Sequence, residues 1–315
     1  MIDFRYHIVS LVAVFLALAL GLFLGSTTLQ STVLHNLQHQ ADHVNTENHN
    51  LLAQQDQLNG QIRAEQSFNA AVEPYVVAGR LANEKVAVVS APGVHDSDRS
   101  LLITTLQDAG ATVTADVRLQ SGFLDPAQDS TWGQLALQAA AGRPLPRTNG
   151  AGQAATVLSR ALVGRSGSTP LAAGRIQTIL ATFSDGKMLT VAGQPPVTTA
   201  DLAVLLVPLG SSPDNSATGV AQSSDMVSVA STLRHGSSGL VVAAPTPTAT
   251  SNGGALAAIR ADSTLPKLVS TVDGDDTAAG RIAVALALAS GQTGTVGQYG
   301  LARPDQPLPS SSAIP

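Results

Sequence analysis

The 315-residue chain contains no cysteine. Disulfides, thiolate metal sites and thiol nucleophiles are therefore excluded, and the redox compartment is left open. Aromatic residues are scarce, at 3%, so platforms for stacking bases are missing. Charged residues make up only 12%, and the net charge of −5 argues against a nucleic-acid partner. Of the 17 basic residues, only Lys85, Lys187 and Lys267 are lysine. No GxGxxG follows the first apolar strand, and neither a GxxxxGK[ST] loop, a GxSxG elbow nor an HExxH pair occurs. The stretch DGDD lacks the glycine and distal-glutamate spacing of a calcium loop. These gaps predict a protein that is not an enzyme. The alternating ten-residue strands and aromatic girdles of a membrane barrel are also missing.

What is present begins with an oily leader. From Ile8 to Gly25, Ser10 is the sole polar side chain. As a helix at ~1.5 Å per residue this run reaches about 27 Å, close to bilayer thickness. It ends Leu22-Phe23-Leu24-Gly25-Ser26, with bulky residues where a signal-peptidase site needs small ones. The expectation is an uncleaved anchor over 8–25 in contact with lipid, with a long signal peptide as the alternative. Arg5 precedes the run and the next basic side chain is Arg63. That asymmetry favours residues 1–7 on the cytoplasmic side and the remainder outside the cytoplasmic membrane.

Residues 26–74 read as a helical stalk. Heptads place Leu37, Val44, Leu51 and Leu58 at d, with Leu34, Ala41, Asn48, Gln55 and Ile62 at a, which predicts a coiled coil. Amides at a fix register at some cost in stability, so a parallel homodimer is the expected assembly. A helix that packs back on its own domain is the alternative. Gly60 weakens the rod by about 1 kcal/mol, and Pro74 is expected to stop it. His35, His39 and His43 follow one another at i, i+4 and i+8, a spacing that suits Cu²⁺, Ni²⁺ or Zn²⁺. They occupy outer heptad positions with no evident carboxylate to orient the rings, so a solvated polar face accounts for them equally.

Residues 75–300 have a different texture. KVAVVSAP, ATVTADVRL, DLAVLLVPLG, GLVVAAP and KLVSTVDGDD read as strands, separated by helical patterns such as RSLLITTLQDAG and TAAGRIAVALALASG. Continuous apolar strands alternating with helices predict an α/β sandwich around a mostly parallel sheet, Rossmann-like or flavodoxin-like. Residues 121–185 read as an irregular or helical insertion, and 301–315 as a disordered tail. Ligands of such sheets bind beyond the carboxyl ends of the strands. Two loops there are acidic and suit a ligand cation or a basic partner: one carries His95, Asp96 and Asp98, the other Asp273, Asp275 and Asp276. Helix capping by Asp96, Ser97, Asp275 and Asp276, at about 1 kcal/mol each, is the competing account.

The opening FRYHIVSLVAVFLALALGLFLGS, the VHDSDRS loop and the closing STVDGDDTAAGRIAVALALASG with its GQYG resemble the actinobacterial MctB/SteB-type envelope proteins, in the same order along the chain. The resemblance implies copper transport or homeostasis across a mycobacterial-type envelope, with placement in the outer membrane. From corynebacterial relatives it implies instead a tethered scaffold that pairs with a second membrane protein in envelope assembly and division. Copper rests on the resemblance alone, since Met1, Met188 and Met226 are too scattered for a Cu(I) relay.

Overall fold

A computed structural model describes residues 3–165, 169–210, 217–247, 254–302 and 305–310; the side chains of 3, 26–38 and 217–218 lie outside the described set. By internal packing the chain divides into two units, Met1–Glu65 and Gln66–Pro315.

Helix α1 covers Asp3–Val77. Its first unit contains the span Phe4–Gly25, with a mean hydropathy of 2.7 and no part of its most apolar window buried. This is the one helix among the described residues long and apolar enough to cross a membrane. Further along, Val44, Leu51, Leu58 and Ile62 are exposed by 50–62%, at the heptad positions expected of a seam.

Pro74 does not stop the helix. It lies inside α1, which runs one turn further, and its carbonyl accepts from the Ala78 amide at 3.1 Å. A proline costs a helix the bond it would have donated, but the residues after it can still close theirs. The second unit also begins before Pro74, because burial of Glu73 and Val77 makes this last stretch of α1 part of the head.

The head is built on a seven-stranded sheet: β1 (Lys85–Ser90), β2 (Thr112–Leu119), β3 (Leu189–Val191), β4 (Leu202–Leu206), β5 (Gly239–Ala244), β6 (Ser270–Asp273) and β7 (Gln298–Gly300), in the order β3-β2-β1-β4-β5-β6-β7. Every neighbouring pair is parallel except β2 and β3. All residues of β4 and β5 are buried, as strands covered on both faces require. The five strands read from the sequence are present. β3 and β7 are not legible there, because three-residue edge strands carry too little pattern to register.

Side-chain alternation divides the core in two. Val89, Val117, Leu205 and Val242 face one side, covered by α3 (Asp129–Ala140), α4 (Gly150–Leu162), α5 (Ala173–Asp185), α6 (Ala217–Gly236) and α7 (Gly254–Ala261). The described part of 121–185 thus contains α3, α4 and α5, which supply much of this layer, after two short 3-10 turns at Ser121–Leu124 and Pro126–Gln128. Val88, Val204, Val241 and Val272 face the other side, against α2 (Asp96–Asp108), α8 (Ala278–Gln292) and the end of α1. One extra residue in β2 shifts its register against β1 between Val113 and Ala115, and Asp116 beyond it faces α2.

Part of the stretch expected as a disordered tail packs on the head. Ala302 donates its amide to Asp273 at 2.7 Å, the Pro307 carbonyl accepts from Gly300 at 3.2 Å, and Pro309 is buried. Composition registers only the prolines and serines here, whereas edge strand β7 gives them a surface to lie on. Residues 311–315 of that tail lie outside the described residues.

Candidate functional site at the carboxyl ends of the strands

The sheet order reverses between β1 and β4, and the loops after these strands diverge to opposite sides. Beyond them lies a cleft of about 340 Å³, walled by Pro92 and Gly93, by Pro208 and Gly210, and by Gln222 and Met226 of α6. Among the described residues no charged side chain lines it.

The charged groups sit to one side, where the loop leading into α2 approaches the loop leading into α8. Asp275 is at the centre. It is only 3% exposed, its amide donates to the Ala244 carbonyl at 3.2 Å, and its Oδ1 has no hydrogen-bond partner. Burial, reinforced by the neighbouring Asp276 and Asp98 carboxylates, pushes its pKa up to about 8 against the opposing pull of Arg281. The two acidic loops are therefore within electrostatic reach of one another, through Asp98 and Asp275.

The other predicted residues have separate partners. Asp276 Oδ1 accepts from the Thr246 amide at 2.7 Å and its hydroxyl at 2.8 Å. Asp273 is fully buried and bonded to Arg260 at 2.9 Å, and that guanidinium also donates to Thr271 Oγ1 and to the Tyr299 carbonyl. Asp273 thus fastens α7, β6 and β7 together. Asp96 turns away towards β2, 3.0 Å from Arg118 and 3.5 Å from buried Arg99, which also pairs with Asp116. His95 is exposed, its Nδ1 3.7 Å from Asp98.

Capping does not explain these aspartates. The N-cap of α2 is His95, with no side-chain bond, and the N-cap of α8 is Thr277, whose hydroxyl oxygen accepts from the Gly280 amide. Asp96 lies inside the first turn of α2, while Asp275 and Asp276 precede the cap of α8. α2 starts one residue upstream of the expected cap at Asp96, and α8 one or two residues downstream of those at Asp275 and Asp276, which removes these side chains from capping geometry.

A neighbouring ion pair is absent from the sequence reading altogether. Arg281 of α8 donates to both carboxylate oxygens of Glu73 near the end of α1, and the Thr105 hydroxyl of α2 donates to Oε1. The signal was present: Arg281 is the lone charge in AAGRIAVALALASG, and a buried guanidinium requires an anion.

On α1, His39 and His43 are exposed, and the His35 side chain lies outside the described residues. His43 does have a carboxylate beside it, because Glu47 comes within 3.7 Å one turn later. Among the described residues no three histidine, aspartate or glutamate side chains are grouped so as to hold a metal ion. Met188 and Met226 are both buried.

Comparison with known proteins adds what this geometry does not. A protein named copper transporter MctB from Mycobacterium tuberculosis, strain H37Rv, is 30% identical over 307 residues, covering 95% of this chain and 96% of the relative. The protein of that name from Mycobacterium leprae is 30% identical over 312 residues, covering 96% of each. The family described as "Copper transport outer membrane protein, MctB" matches residues 1–309. The chain belongs to the MctB family.

Proposed function

We propose that the protein is a membrane-anchored cell-envelope component that acts in copper transport or homeostasis across a mycobacterial-type envelope. The observation that carries this reading is the family match over residues 1–309, together with relatives named as copper transporters along nearly their whole length. In this reading residues 8–25 anchor the chain in lipid with residues 1–7 in the cytoplasm, and the head lies outside the cytoplasmic membrane. The support is an apolar span of sufficient length and the bias of basic residues ahead of it.

The head is a doubly wound, Rossmann-like or flavodoxin-like domain without catalysis of its own. A parallel core whose order reverses beside β1 supports the first part of that statement. The want of a nucleotide or hydrolase motif supports the second. The stalk is a parallel homodimeric coiled coil, on the strength of its exposed apolar heptads. A single helix does not line a pore, so passage of copper involves a second membrane protein for which this one is a tethered partner.

The test is a deletion strain complemented with the full chain or with a form lacking residues 8–25. Copper sensitivity rescued only by the anchored chain supports the proposal. A strain of wild-type copper tolerance but altered cell shape and division refutes it in favour of an envelope scaffold.

A further inference from the structure

The loop before α8 holds a buried carboxyl, Asp275, whose Oδ1 has no hydrogen-bond partner. Asp98, in the first turn of α2, and the exposed Asp276 both act on Asp275 electrostatically. Arg281, one turn into α8, acts on Asp275 in the opposite sense, and that guanidinium is already bound through Nε and Nη2 to Glu73 of α1. His95 stands on the solvent side of Asp98, and Asp276 is held by Thr246. A buried carboxyl with an unpartnered oxygen, in the field of two other carboxylates, is stable as the neutral acid. Its ionisation adds a second negative charge acting on the guanidinium already paired with Glu73.

We propose that Asp275 is a proton-binding site that controls a clamp on the base of α1. While its carboxyl is protonated, Arg281 stays on Glu73 and holds the end of α1 against α2 and α8. Loss of that proton draws Arg281 towards Asp275, sets a new negative charge near Glu73 and loosens the clamp. The packing of α8 makes the arrangement taut: a Cβ on Gly280 would lie 1.8 Å from the Gly274 carbonyl and 2.8 Å from the Asp275 nitrogen, so the loop has no slack. The geometry also places the only polar side-chain contacts of Glu73, from Thr105 and Arg281 among the described residues, on the two helices that flank Asp275.

Hydrogen exchange on the full chain in detergent tests this directly. After correction for intrinsic rates, protection of residues 68–78 should fall about tenfold more than that of β4 as pH rises from about 6 to about 9. Asp275→Asn, neutral at every pH, should abolish that difference. Asp98→Asn removes a neighbouring negative charge and should move the midpoint to lower pH, a shift that decides the matter even if Asp275→Asn folds poorly. Wild-type protection that is independent of pH overturns the proposal, as does an unshifted midpoint in Asp98→Asn. None of these outcomes depends on copper.

Discussion

Glu73 and Arg281 lie 208 residues apart in sequence and form a two-point ion pair, Nε to Oε1 at 3.0 Å and Nη2 to Oε2 at 2.7 Å. Both side chains are over 90% buried, so the pair joins the end of the long helix to α8 inside the head. Removal of one member strands the other charge in a poorly solvated place. Glu73→Gln or Arg281→Met should therefore cost about 3–5 kcal/mol, read by chemical denaturation of the full chain. The double variant Glu73→Leu/Arg281→Met should recover much of that loss. A cost near zero for the single variants would show that water reaches the pair.

Asp275 gives stability an unusual pH dependence. Its folded pKa of about 8 exceeds its ordinary value of 3.8, so the folded chain binds more protons than the unfolded chain between those limits. Its contribution is fully present below about pH 4, is lost as pH rises towards 8, and is level beyond. The slope reaches about 1.4 kcal/mol per pH unit. Thermal denaturation of Asp275→Asn should lack this decline, and a wild-type curve that rises from pH 4 to 8 contradicts the assignment.

Gly280 lies where α8 begins, against the Gly274 carbonyl. Gly280→Ala should destabilise the head by about 1–3 kcal/mol through overpacking, although alanine is the better helix former. Gly60→Ala offers the contrast, since nothing lies within 4 Å of its missing Cβ. That substitution should stabilise its helix by about 1 kcal/mol.

The cysteine-free background makes the stalk testable. Leu51→Cys introduces a single thiol at a d position, which in a parallel in-register dimer lies opposite its own copy. Oxidation in detergent should give a covalent dimer. Ala53→Cys, two residues on at the outward f position, should remain a monomer on denaturing gels. Equal yields from the two variants would mean random collision and no seam.

Copper contact is to be sought first on the stalk, where the histidines have the right spacing. If His35, His39 and His43 bind it, replacing all three with alanine should remove Cu²⁺ uptake by the full chain, measured by titration. Unchanged uptake would eliminate the stalk as the place of contact.

The repeating patterns are legible without the structure because they are local. Eighteen nearly uninterrupted apolar residues, a heptad of leucine and valine, and five β-branched runs between helices each declare themselves within one window of sequence. So do the two acidic loops, whose approach follows from the rule that such loops gather at one end of a parallel sheet. Capping is harder to read because it turns on where a helix begins, and a shift of one or two residues moves the task from Asp275 and Asp276 to Thr277. Strands β3 and β7 are invisible because three residues carry no period, and they exist only because β2 and β6 offer open edges. Which aspartate is solvated, which is bonded to arginine and which is left with an unpartnered oxygen is likewise decided by tertiary packing. The cost of burying a charge depends on neighbours brought from distant points of the chain, as Glu73 is to Arg281, and no stretch of sequence contains that distance.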